Sequence, residues 1–476
     1  MKYKIFTLLF VLTFMFVAFF PTPANAGAYE TAFTTSITYQ NVDGAATTSL
    51  EILFYETPDD TTPITITRPN LAPGAGTSVF IGNVNEVSDG FQGTAVMVSD
   101  KVLVATLVQL PQGSTTVKNR PLSNGFSNGS PNSLIATVMK NQWSSKQYTI
   151  FSVQNTGAAQ TSVAIKFYDT SANLVHTINQ NLDVGAGYYV DTGTVSALGT
   201  SFNGSVVIDG GGGSIISSAM ELDSGAAVGA KAFEGVGAGA KTFYMPSALC
   251  NFASSPGRIQ NTNFAVQNAD LATSTNVTVT YSGGSSETKA IGPGAKGSFN
   301  TCEAGVGDGF LGSATVTSAT TDIIAMGKAA GAGLSTAYIG FSSGSQNIAL
   351  PYVRWTNQTD FNAGSGQRVN IAIQNVGSSA VTGNITVKYV DRTGAVSGTH
   401  TITTDLQPGD KANSNATNAG LSDFGYYGGG QYGGGAIITG PSGSELAAIA
   451  RVATYVTATG AVVGEDYNGM VYTPAP

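Results

Sequence analysis

The run Val206–Met220, VVIDGGGGSIISSAM, sets four glycines between two apolar, β-branched segments. A glycine-rich turn after a strand can cradle a phosphate with its backbone N–H groups. A nucleotide loop of that kind ends in Gly-Lys-Ser/Thr, so that lysine meets the phosphates and the hydroxyl meets Mg²⁺. Here Ser214 follows Gly213 directly and no lysine is near. A dinucleotide loop opens a helix, and SIISSAM has no helical period. Three related segments carry VSDKVL, TSATTDII and TGPSGSEL at the same place, which are polar connections between strands. Gly210–Gly213 is therefore read as a hairpin turn between two paired strands, with no ligand.

The other residues capable of chemistry are few. The chain has two histidines, His176 and His400, each nine residues before a glycine of a shared motif, Gly185 and Gly409. Equivalent positions in separate units do not converge on one site, so a strand role is expected for both. A serine nucleophile would need a base, and no base is found for one. Glu56, Asp59 and Asp60 cluster in one loop and read as acids solvating a turn. No D-x-D-x-D-G calcium loop occurs, and no acid pair can be assigned to glycoside hydrolysis. No cofactor is expected; a structural Ca²⁺ between units is the one exception left open. The two cysteines, Cys250 and Cys302, are about 50 residues apart in one unit. In a secreted chain that suggests a disulfide, with two buried free thiols as the alternative. Asn203, Asn276, Asn357, Asn384 and Asn415 open N-x-S/T triplets, which arise by chance in a chain this rich in Asn, Ser and Thr. The tract Phe424–Gly435 is rich in Tyr and Gly. Phe424, Tyr426, Tyr427 and Tyr432 are its candidate contact residues toward another subunit or a glycan; the alternative is a solvated hairpin extension.

Residues 1–26 read as a secretory signal peptide. Lys2 and Lys4 precede an apolar run from Ile5 to Phe20, and Ala24-Asn25-Ala26 is a small-x-small cleavage site. The expected mature chain begins at Gly27, has no membrane span and is extracellular or held at the cell surface. Its composition is unusual: 60 Gly, 11% charged residues and a net charge of −8. Nothing supplies the basic stripe that nucleic acid requires. Hydrophobic content of 42% is near the globular norm.

The elements that must carry these residues recur four times. Each copy opens with an alternating strand ending in Gln-Asn: Gln40-Asn41, Gln154-Asn155, Gln267-Asn268 and Gln374-Asn375, spaced 114, 113 and 107 residues apart. A second alternating strand follows: LEILFYE, VAIKFYD, VTVTYSG, ITVKYVD. Then come the turns LAPGAG, LDVGAG, IGPGAK and LQPGDK, with Gly74, Gly185, Gly294 and Gly409. Each copy closes with small residues leading into a strand pair: GFQGTAVMV, SFNGSVVID, GFLGSATVT, YGGGAIITG. The connectors LIATVMKNQW, YMPSALCNF and LPYVRWTNQ are alike, and each is expected to supply the first strand of the following copy. Period-two patterning, frequent turns and no helical period predict an all-β chain of four antiparallel β-sandwiches. Their expected spans are 27–130, 131–243, 244–347 and 348–476, the last lengthened by the Gly/Tyr tract.

The succession of N-x-G, alternating strand with an aromatic, L-x-P-G, and G-S/T resembles bacterial cell-surface immunoglobulin-like tandem repeats. Its closest stretch, QNVGSSAVTGNITVKYVDRTG followed by LQPGD, is similar to the bacterial cell-adhesion-related repeat family. The resemblance covers nearly the whole expected mature chain. It implies Ig-like sandwiches and a structural or adhesive surface role, and it carries over no catalytic residues. The resulting expectation is a non-enzymatic protein forming a surface layer, sheath or fibre by self-association, its domains in a rod or curved array. The alternative is an adhesin that binds a cell-wall or surface glycan, or a protein.

Overall fold

A computed structural model describes residues 27–56, 62–253, 259–331, 333–356, 365–426, 433–456 and 461–473. The signal-peptide segment, Asp59 and Asp60 lie outside the described residues. The chain is all-β: 33 strands and four short 3-10 turns, with no α-helix among the described residues. The sheets are antiparallel apart from one parallel contact, Leu334 with Gly464.

Every copy builds two kinds of sheet. In the first, the Gln-Asn strand is central. Phe33–Asn41 lies between Gly76–Phe80 and Leu103–Pro111, and the last of these pairs onward with Leu122–Asn124. Copy two repeats this with Gly187–Asp191, Tyr148–Asn155, Ile215–Leu222 and Ala230–Glu234. The same order recurs in copies three and four. In the second sheet the aromatic-bearing strand is central: Thr161–Asp169 lies between Leu174–Leu182 and Phe202–Asp209, and Asn132–Lys140 follows. The connector strands Asn132–Lys140, Thr242–Cys250 and Asn347–Leu350 join the second sheet of the copy that follows them.

Alternation explains which face turns inward. Leu50, Ile52 and Phe54 are buried, as are Val163, Ile165 and Phe167, Val277, Val279 and Tyr281, and Ile385, Val387 and Tyr389. In copy one these residues share one apolar cluster with Ile37 and Tyr39 of the first sheet. The clusters of copies two and three are continuous.

The Gln-Asn pair ties each copy's loops together. The buried Asn155 side chain donates to the Ala159 and Leu182 carbonyls and accepts from Gly157 N–H, closing the turn after its strand. Asn41, Asn268 and Asn375 do the same. The neighbouring glutamine donates to the carbonyl of the Pro-Gly-turn glycine: Gln40 to Gly74 at 2.9 Å, Gln154 to Gly185 at 2.9 Å, Gln267 to Gly294 at 3.2 Å and Gln374 to Gly409 at 3.1 Å. These bonds meet the buried amide donors, each of which would cost about 1–3 kcal/mol if left unmet.

Gly210–Gly213 is a turn but not a hairpin. Gly213 N–H donates to Gly210 O at 2.8 Å, and Gly211 and Gly212 have φ of 58° and 89°. The flanking strands belong to different sheets: Phe202–Asp209 pairs with Thr161–Asp169, whereas Ile215–Leu222 pairs with Tyr148–Asn155. Two apolar-faced strands in succession can cover a core from opposite sides as readily as pair, which corrects the hairpin expectation. The four glycines have separate reasons. The middle two need left-handed backbone. A Cβ on Gly210 would lie 2.8 Å from Pro131 O, and one on Gly213 would lie 2.3 Å from Thr161 Oγ1.

Successive copies dock through one shared contact. A hydroxyl after the small-residue glycine donates to the Pro-Gly-turn glycine carbonyl of the next copy: Thr94 to Gly185 at 2.7 Å, Ser205 to Gly294 at 2.6 Å and Ser313 to Gly409 at 2.8 Å. Copy four meets copy one with the same elements. Gly435 lies against the Gln40 side chain, and Gly74 lies against Gly394 and Val390. The last strands of the four first sheets, Leu122–Asn124, Ala230–Glu234, Leu334–Ile339 and Ala461–Asn468, lie beside one another in a cycle. The four copies thus make a closed cycle of contacts, which rules out the rod, one of the two expected arrangements. Asn119 Nδ2 donating to Gly464 O at 3.4 Å spans 345 residues of sequence.

Candidate functional site

Several buried ionisable groups gather at the junctions, while more exposed pairs such as Lys166–Asp209 stay within a copy. Glu221, whose side chain is 0% exposed, lies 3.3 Å from Lys231 Nζ and 2.5 Å from Lys328 Nζ. Lys296 and Lys328 both donate to Thr137 Oγ1, at 2.8 and 3.0 Å. Glu221, Lys231 and Thr137 come from copy two; Lys296 and Lys328 come from copy three. Burial alone would raise the Glu221 carboxyl, but Lys328 and then Lys231 hold it down to about 2. Burial, followed by the neighbouring Lys328, lowers Lys296 to about 7.

Copies three and four meet over a second network. Asp466 accepts from Arg451 at 2.7 and 2.8 Å and from Thr336 Oγ1 at 2.7 Å. Lys411, which occupies the position of Lys296 one copy on, donates to Gly312 O at 2.6 Å and Pro246 O at 3.3 Å. Burial, then Arg451, lowers its amine to about 7. At the remaining junctions two buried carboxyls grip copy one. Glu465 accepts from Arg120 N–H at 2.5 Å, and Glu234 accepts from Asn124 N–H. Burial pushes both carboxyls up, Glu465 to about 8.

These groups bind one copy to the next, and sequence patterning does not single them out. One signal was available. Lys296 and Lys411 replace the glycine that follows GA in PGAG-type turns, and Glu221 interrupts an otherwise apolar and small-residue strand.

The cysteines expected to pair are adjacent. Cys250 ends Thr242–Cys250, and Cys302 lies in the 3-10 turn Thr301–Ala304, where its own N–H donates to the Asn300 side chain. Their Cα atoms are 4.9 Å apart, with the sulfurs in bonding distance. That separation suits a bridge without backbone movement. Cys302→Ser is expected to lower the stability of copy three by about 2–4 kcal/mol, read from urea unfolding. Equal midpoints for the variant and the unreduced protein would refute the bridge.

The aromatic contact loop is only partly where it was expected. Phe424 is 5% exposed and packs edge-on against Tyr389, with ring centroids 5.7 Å apart. It belongs to the core of copy four, because its backbone pairs with Trp355 and turns the ring inward. It is therefore not a contact residue. Tyr426 is half-buried; Tyr427 and Tyr432 lie outside the described residues.

His176 and His400 both lie on strands, at different registers: His176 opposes Phe167 and His400 opposes Val387. Asn276 and Asn384 are exposed, Asn203 and Asn415 half-buried; Asn357 lies outside the described residues. Among the described residues, no group of three or more His, Cys, Asp or Glu is placed to hold a metal ion. No helix among them is long and apolar enough to cross a membrane.

No family model and no curated protein matches the chain. Among solved structures it is similar to the crystal structure of a tetra-tandem repeat in the extending region of a large adhesion protein. The identity is 12%, over 92% of this chain and 96% of that one, and the TM-score is 0.10. A superposition at that score carries no argument about arrangement or function.

Proposed function

We propose that the chain is a secreted, non-enzymatic structural protein of a bacterial cell surface. In this reading its signal peptide is removed, and each copy is an Ig-like β-sandwich. The closed four-copy body is then the unit that self-associates into a surface layer, sheath or fibre. The observation that carries the proposal is where the polar chemistry is spent. Buried lysines, carboxyls and hydroxyls join copy to copy, as they would in a load-bearing body. The low charge of the chain, 11%, favours close packing of such bodies over mutual repulsion. Electron microscopy of the processed protein, across salt and Ca²⁺ concentrations, is expected to show lattices, tubes or fibres. Single four-copy particles under every condition would overturn the reading.

An adhesive role is the second reading, and it is favoured by a specific observation: the largely exposed side chain of Trp143.

A further inference from the structure

We propose that Trp143 is a carbohydrate-binding platform, which stacks its indole on the apolar face of a pyranose ring in a neutral polysaccharide. The proposal rests on adhesive surface display only for its biological use; the site itself does not depend on assembly. Trp143 sits in the turn between Asn132–Lys140 and Tyr148–Asn155 and is 64% exposed, more than any other large exposed apolar side chain among the described residues.

The turn is built to hold it there. Asn141, Trp143 and Lys146 have φ of 51°, 63° and 49°. Left-handed backbone is costly for a bulky residue and persists only where the surroundings over-determine it. Those surroundings are present. Gln147 N–H donates to Gln142 O at 2.7 Å, and Lys146 N–H donates to Trp143 O at 3.1 Å. Gln142 Nε2 donates to Ser201 Oγ at 2.9 Å, Asn141 Nδ2 to Thr200 O at 3.3 Å, and Ser224 N–H to Ser145 O at 3.0 Å. Gln147 Nε2 donates to Asp223 Oδ1 at 2.8 Å. The indole is thus presented on a pinned turn, and a pre-ordered aromatic loses little entropy on binding.

Corresponding turns of the other copies show what an unused aromatic does. Phe252 is half-buried, and Trp355 lies under the Arg368 guanidinium at 5.2 Å. Trp143 of copy two is instead 64% exposed.

The rim selects the class of ligand. Asn141, Gln142, Ser145 and Gln147 of the same turn, with Ser201 bonded to it, bring amides and hydroxyls beside one exposed aromatic side chain. A protein partner or a lipid surface would call for a contiguous apolar patch or a basic cluster. A pyranose presents one apolar C–H face edged by hydroxyls, which one indole with a polar rim complements. Asp223, the acid that holds the turn, is bonded to Gln147, and Lys146 is the one cation of the turn, so a neutral glycan fits better than an anionic one.

The chain has two tryptophans, so fluorescence reports the site. Dispersed full-length processed protein is titrated with chitohexaose and with cellohexaose and sedimented with insoluble chitin and cellulose. One or more of these glycans is expected to give a saturable blue shift, and Trp143→Ala to weaken binding at least about tenfold. Trp143→Tyr keeps an aromatic plate and is expected to retain most of the affinity. An unchanged melting temperature in both variants separates lost binding from lost folding. No binding to any of the four probes overturns the proposal, as does equal binding by Trp143→Ala. Binding to phosphatidylglycerol vesicles in place of the glycans would overturn it in favour of a membrane surface. Failure of the protein to form ordered assemblies leaves this result unaffected.

Discussion

Glu221→Gln is expected to destabilise the junction of copies two and three by about 3–5 kcal/mol, the usual cost of stranding buried charge. The Glu221 side chain is fully buried and neutralises Lys231 and Lys328 at once, with Lys296 a third ammonium held by the same threonine as Lys328. Glutamine preserves the shape and removes the charge, so three amines are left without an anion. They can respond only by losing protons, and burial already disfavours their charged forms at Lys296 and Lys328. The unfolded chain then binds more protons than the folded one below the ordinary lysine value. Stability of the variant therefore rises with pH, and its defect is largest in mild acid, shrinking below 4.5 as wild-type Glu221 takes up its own proton. Urea unfolding at several pH values measures both effects. The combined change Glu221→Met, Lys231→Met, Lys296→Met, Lys328→Met removes the charges together and is expected to recover most of the loss. A Glu221→Gln defect below about 1 kcal/mol, the range of exposed ion pairs, would show that water reaches the cluster.

The second large effect is a stability minimum near neutral pH. Glu465 carries its proton up to about 8 in the folded chain, against 4.5 in the unfolded one, because burial outweighs the Arg120 N–H and the Arg120 charge, with Asp466 adding to the rise. Asp466 itself is tied to Arg451. Between these two values the folded state binds more protons, so stability is full below 4.5 and falls as pH rises through 8. At 1.36 kcal/mol per pK unit, the loss across that window should be about 5 kcal/mol. Lys296 and Lys411 act in the opposite sense above it. Held down to about 7 from 10.5, they bind fewer protons folded than unfolded, and stability recovers as pH rises from 7 toward 10.5. The weakest point falls where the two trends cross, at pH 7–8. Glu465→Gln should flatten the acid-side slope and leave the alkaline recovery in place. Hydrogen exchange at the Arg120 amide, which Glu465 holds, should quicken with the same midpoint beyond the intrinsic pH trend. A flat stability profile from pH 5 to 8, unchanged by Glu465→Gln, would refute this account.

Both effects lie at contacts between copies, which makes closure of the cycle the property most sensitive to single residues. Copy one is gripped from two sides, by Glu234 of copy two and Glu465 of copy four. An assembly built from this body would inherit that sensitivity. Its subunits should be most resistant in mild acid and most easily opened at neutral pH.

Local patterning made much of the fold legible. Leu50, Ile52, Phe54 and their three sets of counterparts announce strands with one buried face, and the structure buries all twelve. The Pro-Gly turns and the Gln-Asn pairs mark the ends of strands. Their side-chain bonds to the turns lie within a copy, 2–35 residues along the chain, although Gln267 also donates across to Val206 O of copy two. Information of that range is written in short stretches of sequence. Partner choice is not. Period two states that a strand covers a core and not from which side, which is why the strands flanking Gly210–Gly213 fall in different sheets. The meeting of copies one and four is less local still, because Arg120 and Glu465 are 345 residues apart. The charge clusters follow from that meeting and its three counterparts. A lysine such as Lys296 looks like a solvated turn residue until another copy covers it, and burial then changes its chemistry. Nor does Trp143 stand out among residues of its type. Its meaning depends on the left-handed turn and the hydrogen bonds that hold the ring in water, and those come from residues of copy two up to 80 positions away.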